Sequence, residues 1–195
     1  MSGAPAVALP GFADPVAGAQ RCFRAVLDAT ARPGRIRRTG EELVAPAPLC
    51  PAAAAVLLTL VDGETPLWID PAAMAAHEWI AFHCGAAPVP EPGAASFALA
   101  FALPDLASLH AGSHHAPELS ATVILQVAAL GRGRRYRLCG PGLQAPTELA
   151  VEGLPDGFAS VWSENHALYP RGIDLLLCAG EFLAALPRSA AVESL

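Results

Sequence analysis

Three stretches of this chain carry residue types that could do chemistry. The first is LYPRGIDLLLCAGE (Leu168 to Glu181), which sets Tyr169, Arg171 and Asp174 around a Pro-Arg-Gly turn, with Arg188 following in LPR. A guanidinium fork suits a carboxylate or a phosphate, so Arg171 and Arg188 are candidates for gripping an anionic ligand. Asp174, however, heads an apolar Leu-Leu-Leu run, and a carboxylate there is costly unless it is paired or hydrogen-bonded. Arg171, three residues earlier, is the partner expected if the turn doubles back. The residues favour a structural ion pair over a contact with a ligand or partner subunit.

The second stretch, HAGSHH, holds His110, His114 and His115. Neutral imidazoles are common metal ligands, and two of them at i, i+4 on a helix can share one ion. Ala-Gly-Ser between them argues for a loop instead, and no neighbouring carboxylate completes a zinc motif. His83, beside Cys84, reads as a histidine at the end of a helix next to a buried thiol. The third stretch, GRGRRYRLCGPG, is rich in arginine and glycine. It lacks the glycine spacing of a phosphate loop or a dinucleotide fingerprint and reads as a solvated hairpin with an arginine-bearing face. No nucleophile elbow of the GxSxG type occurs.

The sequence contains no lysine: all twelve Lys+Arg positions are arginine. Chemistry that needs an amine nucleophile or a Schiff base is thereby excluded. Five scattered cysteines without a CxxC pair point to small hydrophobes in a reducing compartment.

The elements that must position these residues are legible from caps and periodicity. Asp14–Pro15 opens a helix, in which Val16, Ala19, Phe23, Val26, Leu27 and Thr30 share one face at helical spacing, and RPG ends it. GRIRR begins a short edge strand. CPAAAAVLLTLVD is apolar on nearly all sides and predicts a buried helix. PLWI is a strand, and Asp70–Pro71 opens a third helix that ends at Gly85. SFALAFAL alternates as a strand should, and TVILQVAAL predicts a strand covered on both faces that GRGR turns into RYRLCGPG. LPDGFASVWSENHALY is a helix. GIDLLLCAGEFLAALP is two strands hinged at Gly180, followed by a polar tail. Strands and helices interleave, which predicts an α/β or α+β class with a buried mixed sheet.

At 195 residues the expectation is a single domain over 1–195, with about 1–11 and 189–195 as flexible tails. The composition is 53% hydrophobic but only 15% charged, as suits a subunit that hides surface against a neighbour. A net charge of −6 argues against nucleic acid as a partner, since phosphates call for a basic face. No apolar run reaches the ~20 residues of a membrane helix, and the N-terminus lacks the basic region of a signal peptide. A soluble, cytoplasmic protein is expected, with no membrane partner.

Four stretches in order, GFADPVAGAQRCFRAVLDATARPGRI, VLLTLVDGETPLWI, TVILQVAALGRGRRYRLCGPGL and LYPRGIDLLLCAGEFLAALPRS, resemble the PhnH family, the H subunit of the bacterial carbon–phosphorus lyase core complex. The resemblance covers almost the whole chain. It implies assembly with the G, I and J subunits, within a system that displaces adenine from ATP by a phosphonate to give a ribose 1-phosphonate 5-triphosphate. It implies an accessory subunit that forms a homodimer when isolated. The fold it implies is a three-layer αβα-like domain with a mixed sheet, similar to the large domain of pyridoxal-phosphate transferases but without a cofactor. The missing lysine independently rules out the internal aldimine that such catalysis requires. The resemblance leads one to expect two threonines after LPR, where this chain has Ser189, Ala190 and Ala191. Two rivals stand beside it: a stand-alone phosphonate- or nucleotide-binding transferase using Arg171, Arg188 and the histidine loop, and a metal-binding protein using His110, His114 and His115.

Overall fold

Aspartate, proline and glycine set the element ends where the sequence places them. In the computed structural model, which describes residues 9–195, helix α1 spans Pro15–Ala31, and its N-cap Asp14 accepts a hydrogen bond from the Ala17 N–H at 3.0 Å. Helix α2 (Pro51–Leu60) follows the edge strand β1 (Arg37–Arg38). Strand β2 (Leu67–Ile69) leads through a 3₁₀ turn, capped by Asp70, into α3 (His77–Cys84), which ends on a left-handed Gly85. β3 (Phe97–Ala100) and β4 (Thr122–Gln126) flank the loop that carries the histidines. β5 (Ala129–Cys139), β6 (Thr147–Glu152), α4 (Phe158–His166), β7 (Asp174–Ala179), β8 (Phe182–Leu186) and β9 (Ala191–Ser194) complete the order.

The main sheet is mixed, as expected, with strand order β1-β8-β7-β4-β3-β2. β2, β3, β4 and β7 run parallel, and the β7–β8 hairpin and β1 add antiparallel strands on one side. Period-two alternation divides its side chains between two cores. Leu99, Ile124, Leu176 and Cys178 pack with the helices α1–α3 on one face. Val123, Leu125, Leu175 and Leu177 point to the opposite face. Three layers therefore form, but the third is not simply helical as an αβα-like sandwich would require. It is a three-stranded antiparallel sheet of order β6-β5-β9 with α4 packed alongside.

Three expectations fail for identifiable reasons. GRGR does not turn β4 back on itself: β4 and β5 lie in different sheets, and the hairpin is β5–β6. Gly131 (φ +83°) and Gly133 (φ +92°) instead build a bulge, across which both Leu130 and Arg134 pair with Val151. Two left-handed glycines one residue apart add twist and surplus length to a strand without reversing it. The C-terminal segment is no loose tail, because Ala191–Ser194 pairs with β5 and Ala190 is fully buried. Of the expected N-terminal tail, residues 1–8 lie outside the described residues, whereas Leu9 is tied down. Its carbonyl accepts from Trp79 Nε1 (3.1 Å) and His83 Nε2 (3.0 Å).

The third failure is the face that α1 buries. Gly18, Cys22, Val26 and Ala29 point inward, and Val16, Phe23 and Leu27 point to solvent. The wall that α1 meets is α2, whose Ala52–Ala55 are all inaccessible. Small residues on both helices let their backbones approach, a fit that Phe or Leu would wedge apart.

Burial pushes the thiols of Cys22, Cys50 and Cys178 up, and that of Cys84 from 9.0 to about 11. Folding therefore favours the neutral Cys84 thiol. Its contribution is complete below pH 9 and is lost as pH rises through 11. The stability difference between wild type and Cys84→Ala, measured by urea unfolding, should shrink by about 2 kcal/mol between pH 8 and pH 11. A difference that stays constant with pH contradicts this burial effect.

Candidate functional site

The turn before β7 is held by the end of α4 and by the β3–β4 loop. Tyr169–Pro170 is a cis peptide, and Gly172 has φ +119°, a conformation that glycine adopts freely. A Cβ at Gly172 would also stand 3.0 Å from the Asn165 carbonyl oxygen. The Arg171 N–H donates to Leu168 O at 3.0 Å, and the Gly172 N–H to Ala111 O at 2.8 Å. The turn is thus fastened both to the end of α4 and to the loop that holds the histidines.

Asp174 is paired, but not with Arg171. Its Oδ1 accepts from the Arg188 backbone N–H at 2.7 Å and from Arg188 Nε at 3.2 Å, while its Oδ2 accepts from Nη2 at 2.5 Å. The remaining arm of Arg188, Nη1, donates to Pro117 O at 2.7 Å. The antiparallel register explains the choice. Leu175 faces Leu186, so Asp174 falls opposite Pro187, with Arg188 one residue further on. Arg171 points elsewhere: it makes no ion pair among the described residues, and its buried Nε has no hydrogen-bond partner.

Asn165 does the other half of the positioning, and nothing in the motif suggested it. Its Nδ2 donates to Ile173 O at 2.9 Å, and its Oδ1 accepts from the Ile173 N–H at 2.7 Å. One amide side chain thus satisfies both polar groups of a backbone residue with no strand beside it. A signal for this existed. Phe158, Trp162 and Asn165 are the buried residues of α4, spaced i, i+4, i+7, so the asparagine lies in an apolar stripe, where a polar residue needs a specific partner. Next to it, Trp162 Nε1 donates to Ala190 O at 2.7 Å, and His166 Nδ1 lies 2.8 Å from Arg188 O. These contacts hold the Ser189–Ala191 departure: Ala190 serves through its carbonyl, with its side chain enclosed.

The histidine loop does not converge on a point. His110, His114 and His115 are exposed, and His110 Nδ1 reaches the Leu119 carbonyl at 2.8 Å. Among the described residues no group of three or more His, Cys, Asp or Glu side chains could hold a metal ion. The loop does meet the Pro-Arg-Gly turn, through the Ala111 carbonyl, and it meets Arg188 through the Pro117 carbonyl. Tyr169 is exposed, and with Thr30, Pro117, Pro170 and Pro187 it lines an open cleft of about 360 Å³ over the Asp174–Arg188 pair. The arginines of GRGRRYR are neutralised across the small sheet: Arg132 by Glu152 (2.9 Å), Arg134 by Asp156 (2.6 Å), Arg135 by Glu148 and Arg137 by Glu193 (3.7 Å). They present no free cationic patch to an anion.

Fold and site together define a class: a mixed-sheet α/β protein whose signature turn is closed upon the chain itself by an ion pair and an amide clamp. The chain belongs to the PhnH family, since the family model described as "Bacterial phosphonate metabolism protein (PhnH)" matches residues 10–193. Among its relatives is the alpha-D-ribose 1-methylphosphonate 5-triphosphate synthase subunit PhnH of Rhizobium meliloti (strain 1021). The two are 42% identical over 187 residues, covering 93% of this chain and 94% of that protein. A second relative is the putative C-P lyase subunit protein HtxG of Stutzerimonas stutzeri, 34% identical over 175 residues, covering 87% of this chain and 83% of that one. The family expected from the four sequence stretches is the family found. No helix among the described residues is long and apolar enough to cross a membrane.

Proposed function

We propose that this chain is an accessory subunit of a phosphonate-degrading carbon–phosphorus lyase complex. It serves the step that joins an alkylphosphonate to the ribose of ATP with release of adenine. One observation carries the reading: a protein named as a subunit of that synthase matches this chain over 93% of its length. The geometry supports a structural role within the complex. Of the two guanidiniums that a stand-alone transferase would use on phosphate, that of Arg188 is already committed to the Asp174 carboxylate and the Pro117 carbonyl. The partners in this reading are the G, I and J subunits, in the cytoplasm, with a homodimer as the isolated state. The resemblance to the large domain of pyridoxal-phosphate transferases belongs to the same reading. A chain without lysine would keep that architecture as scaffold rather than as catalyst.

Co-expression with the G, I and J subunits tests the assignment. The chain is expected to elute with them as one species in size-exclusion chromatography. Binding of ATP or methylphosphonate by the isolated chain, abolished in Arg171→Ala, together with no co-elution, would favour the stand-alone transferase instead.

A further inference from the structure

The bulkiest apolar residues of α1 are on its outside. Val16 is 69%, Phe23 45% and Leu27 52% exposed, whereas Cys22 and Ala29 beneath them are at most 1% exposed. Positions 16, 23 and 27 fall along one stripe of a 17-residue helix, within about 40° of each other at 100° per residue. At the C-terminal end of the stripe, Thr30 enters the cleft of about 360 Å³ shared with Tyr169 and Pro170. A ridge ending in a pocket is the form in which interfaces seat an anchoring side chain.

Charge says what kind of partner fits. Among the described residues, eight of the twelve arginines have a carboxylate within salt-bridge distance, and the four that do not are Arg21, Arg24, Arg35 and Arg171. Three of those four lie on α1 or just after it. Arg24 follows Phe23 directly and borders the apolar stripe. The acid on the same helix, Asp28, is already held by Arg32 and Arg37. On a protein of net charge −6, Arg24 is a free cation beside the stripe, whereas Arg21 shares its cleft with Asp14, Glu41 and Glu42, and Glu118 lines the far cleft. A second copy applied here about a two-fold axis through the stripe would bring Arg24 towards its own equivalent.

We infer that the outer face of α1, with the adjoining Thr30–Tyr169 cleft, docks a different protein chain: a partner subunit presenting an apolar ridge with a carboxylate beside it to meet Arg24. The inference rests on the subunit role proposed above and names the surface that role uses.

The test measures binding of the purified full-length chain to the purified assembly of the G, I and J subunits. Phe23→Asp and Leu27→Asp are expected to weaken binding about 30-fold or more, as losing an anchor does. Arg24→Glu should weaken it about tenfold at low salt and less at high salt. Phe82→Asp, at a more exposed apolar site on α3, should bind as wild type. Melting temperatures near wild type confirm that these exposed changes leave the fold intact. If wild type binds and the α1 variants bind equally well, the inference is overturned and the subunit role stands. If wild type does not bind the assembly, both fall. If the α1 variants instead split a homodimer of the isolated chain, a second copy occupies the face and the inference is wrong.

Discussion

Replacing Asp174 by alanine should lower stability by about 3 kcal/mol and the melting temperature by roughly 6–12 °C. The size follows from what is left behind. The Arg188 side chain is 15% exposed and that of Asp174 25%, so a guanidinium brought largely out of water loses its counter-charge. The Arg188 backbone N–H loses its acceptor at the same time. Nη1 keeps Pro117 O, which holds the loss below that of a wholly orphaned buried charge. Asp174→Asn retains an acceptor and should cost about half as much. Arg171→Ala is the control: with no acid partner in reach among the described residues, it should cost less than about 1 kcal/mol. Thermal denaturation of the three variants decides the matter. An Arg171→Ala loss equal to that of Asp174→Ala would restore the local pairing that the sequence suggested.

That contrast shows where sequence reasoning reaches and where it stops. Local rules gave local results: the Asp14 and Asp70 caps, the left-handed stop at Gly85, the buried alanine helix and the hinge at Gly180 are all as their residues dictate. The ion pair failed because proximity in sequence was preferred to register. With the hinge at Gly180, counting back along the hairpin brings residue 187 opposite Asp174, so Arg188 was a countable partner. The α1 face failed because two stripes share the same period. Phe23 and Leu27 repeat as a helix should, and so do Gly18, Cys22, Val26 and Ala29. Size favours the first stripe for burial, but the contact surface of α2 is alanine and accepts only the second. That fact belongs to the partner helix, and no property of α1 by itself contains it. GRGR and β9 are the same kind of case: both depend on the small sheet, whose existence is a matter of long-range pairing.

Asn165→Asp should be the more damaging of two near-identical side chains, and its damage should depend on pH. The native amide is matched to Ile173 by donating at one end and accepting at the other. Alanine at this position leaves both backbone groups of Ile173 unpaired, a loss of about 2–4 kcal/mol. An introduced carboxylate keeps the acceptor for the Ile173 N–H but turns a second oxygen, with negative charge, onto the Ile173 carbonyl in a site that is only 4% exposed. Repulsion and desolvation both raise the pKa of the introduced group in the folded state. A raised folded pKa means that stability is fullest below the unfolded value of about 3.9 and is lost as pH rises through the folded one. Protonated, the carboxyl regains a donor and imitates the amide. Asn165→Asp should therefore lie close to wild type near pH 4 in relative stability and fall below Asn165→Ala at pH 7. Urea unfolding of all three proteins across that range gives the test. A gap between Asn165→Asp and wild type that does not widen with pH would show that the amide donor to Ile173 is not what fixes the turn.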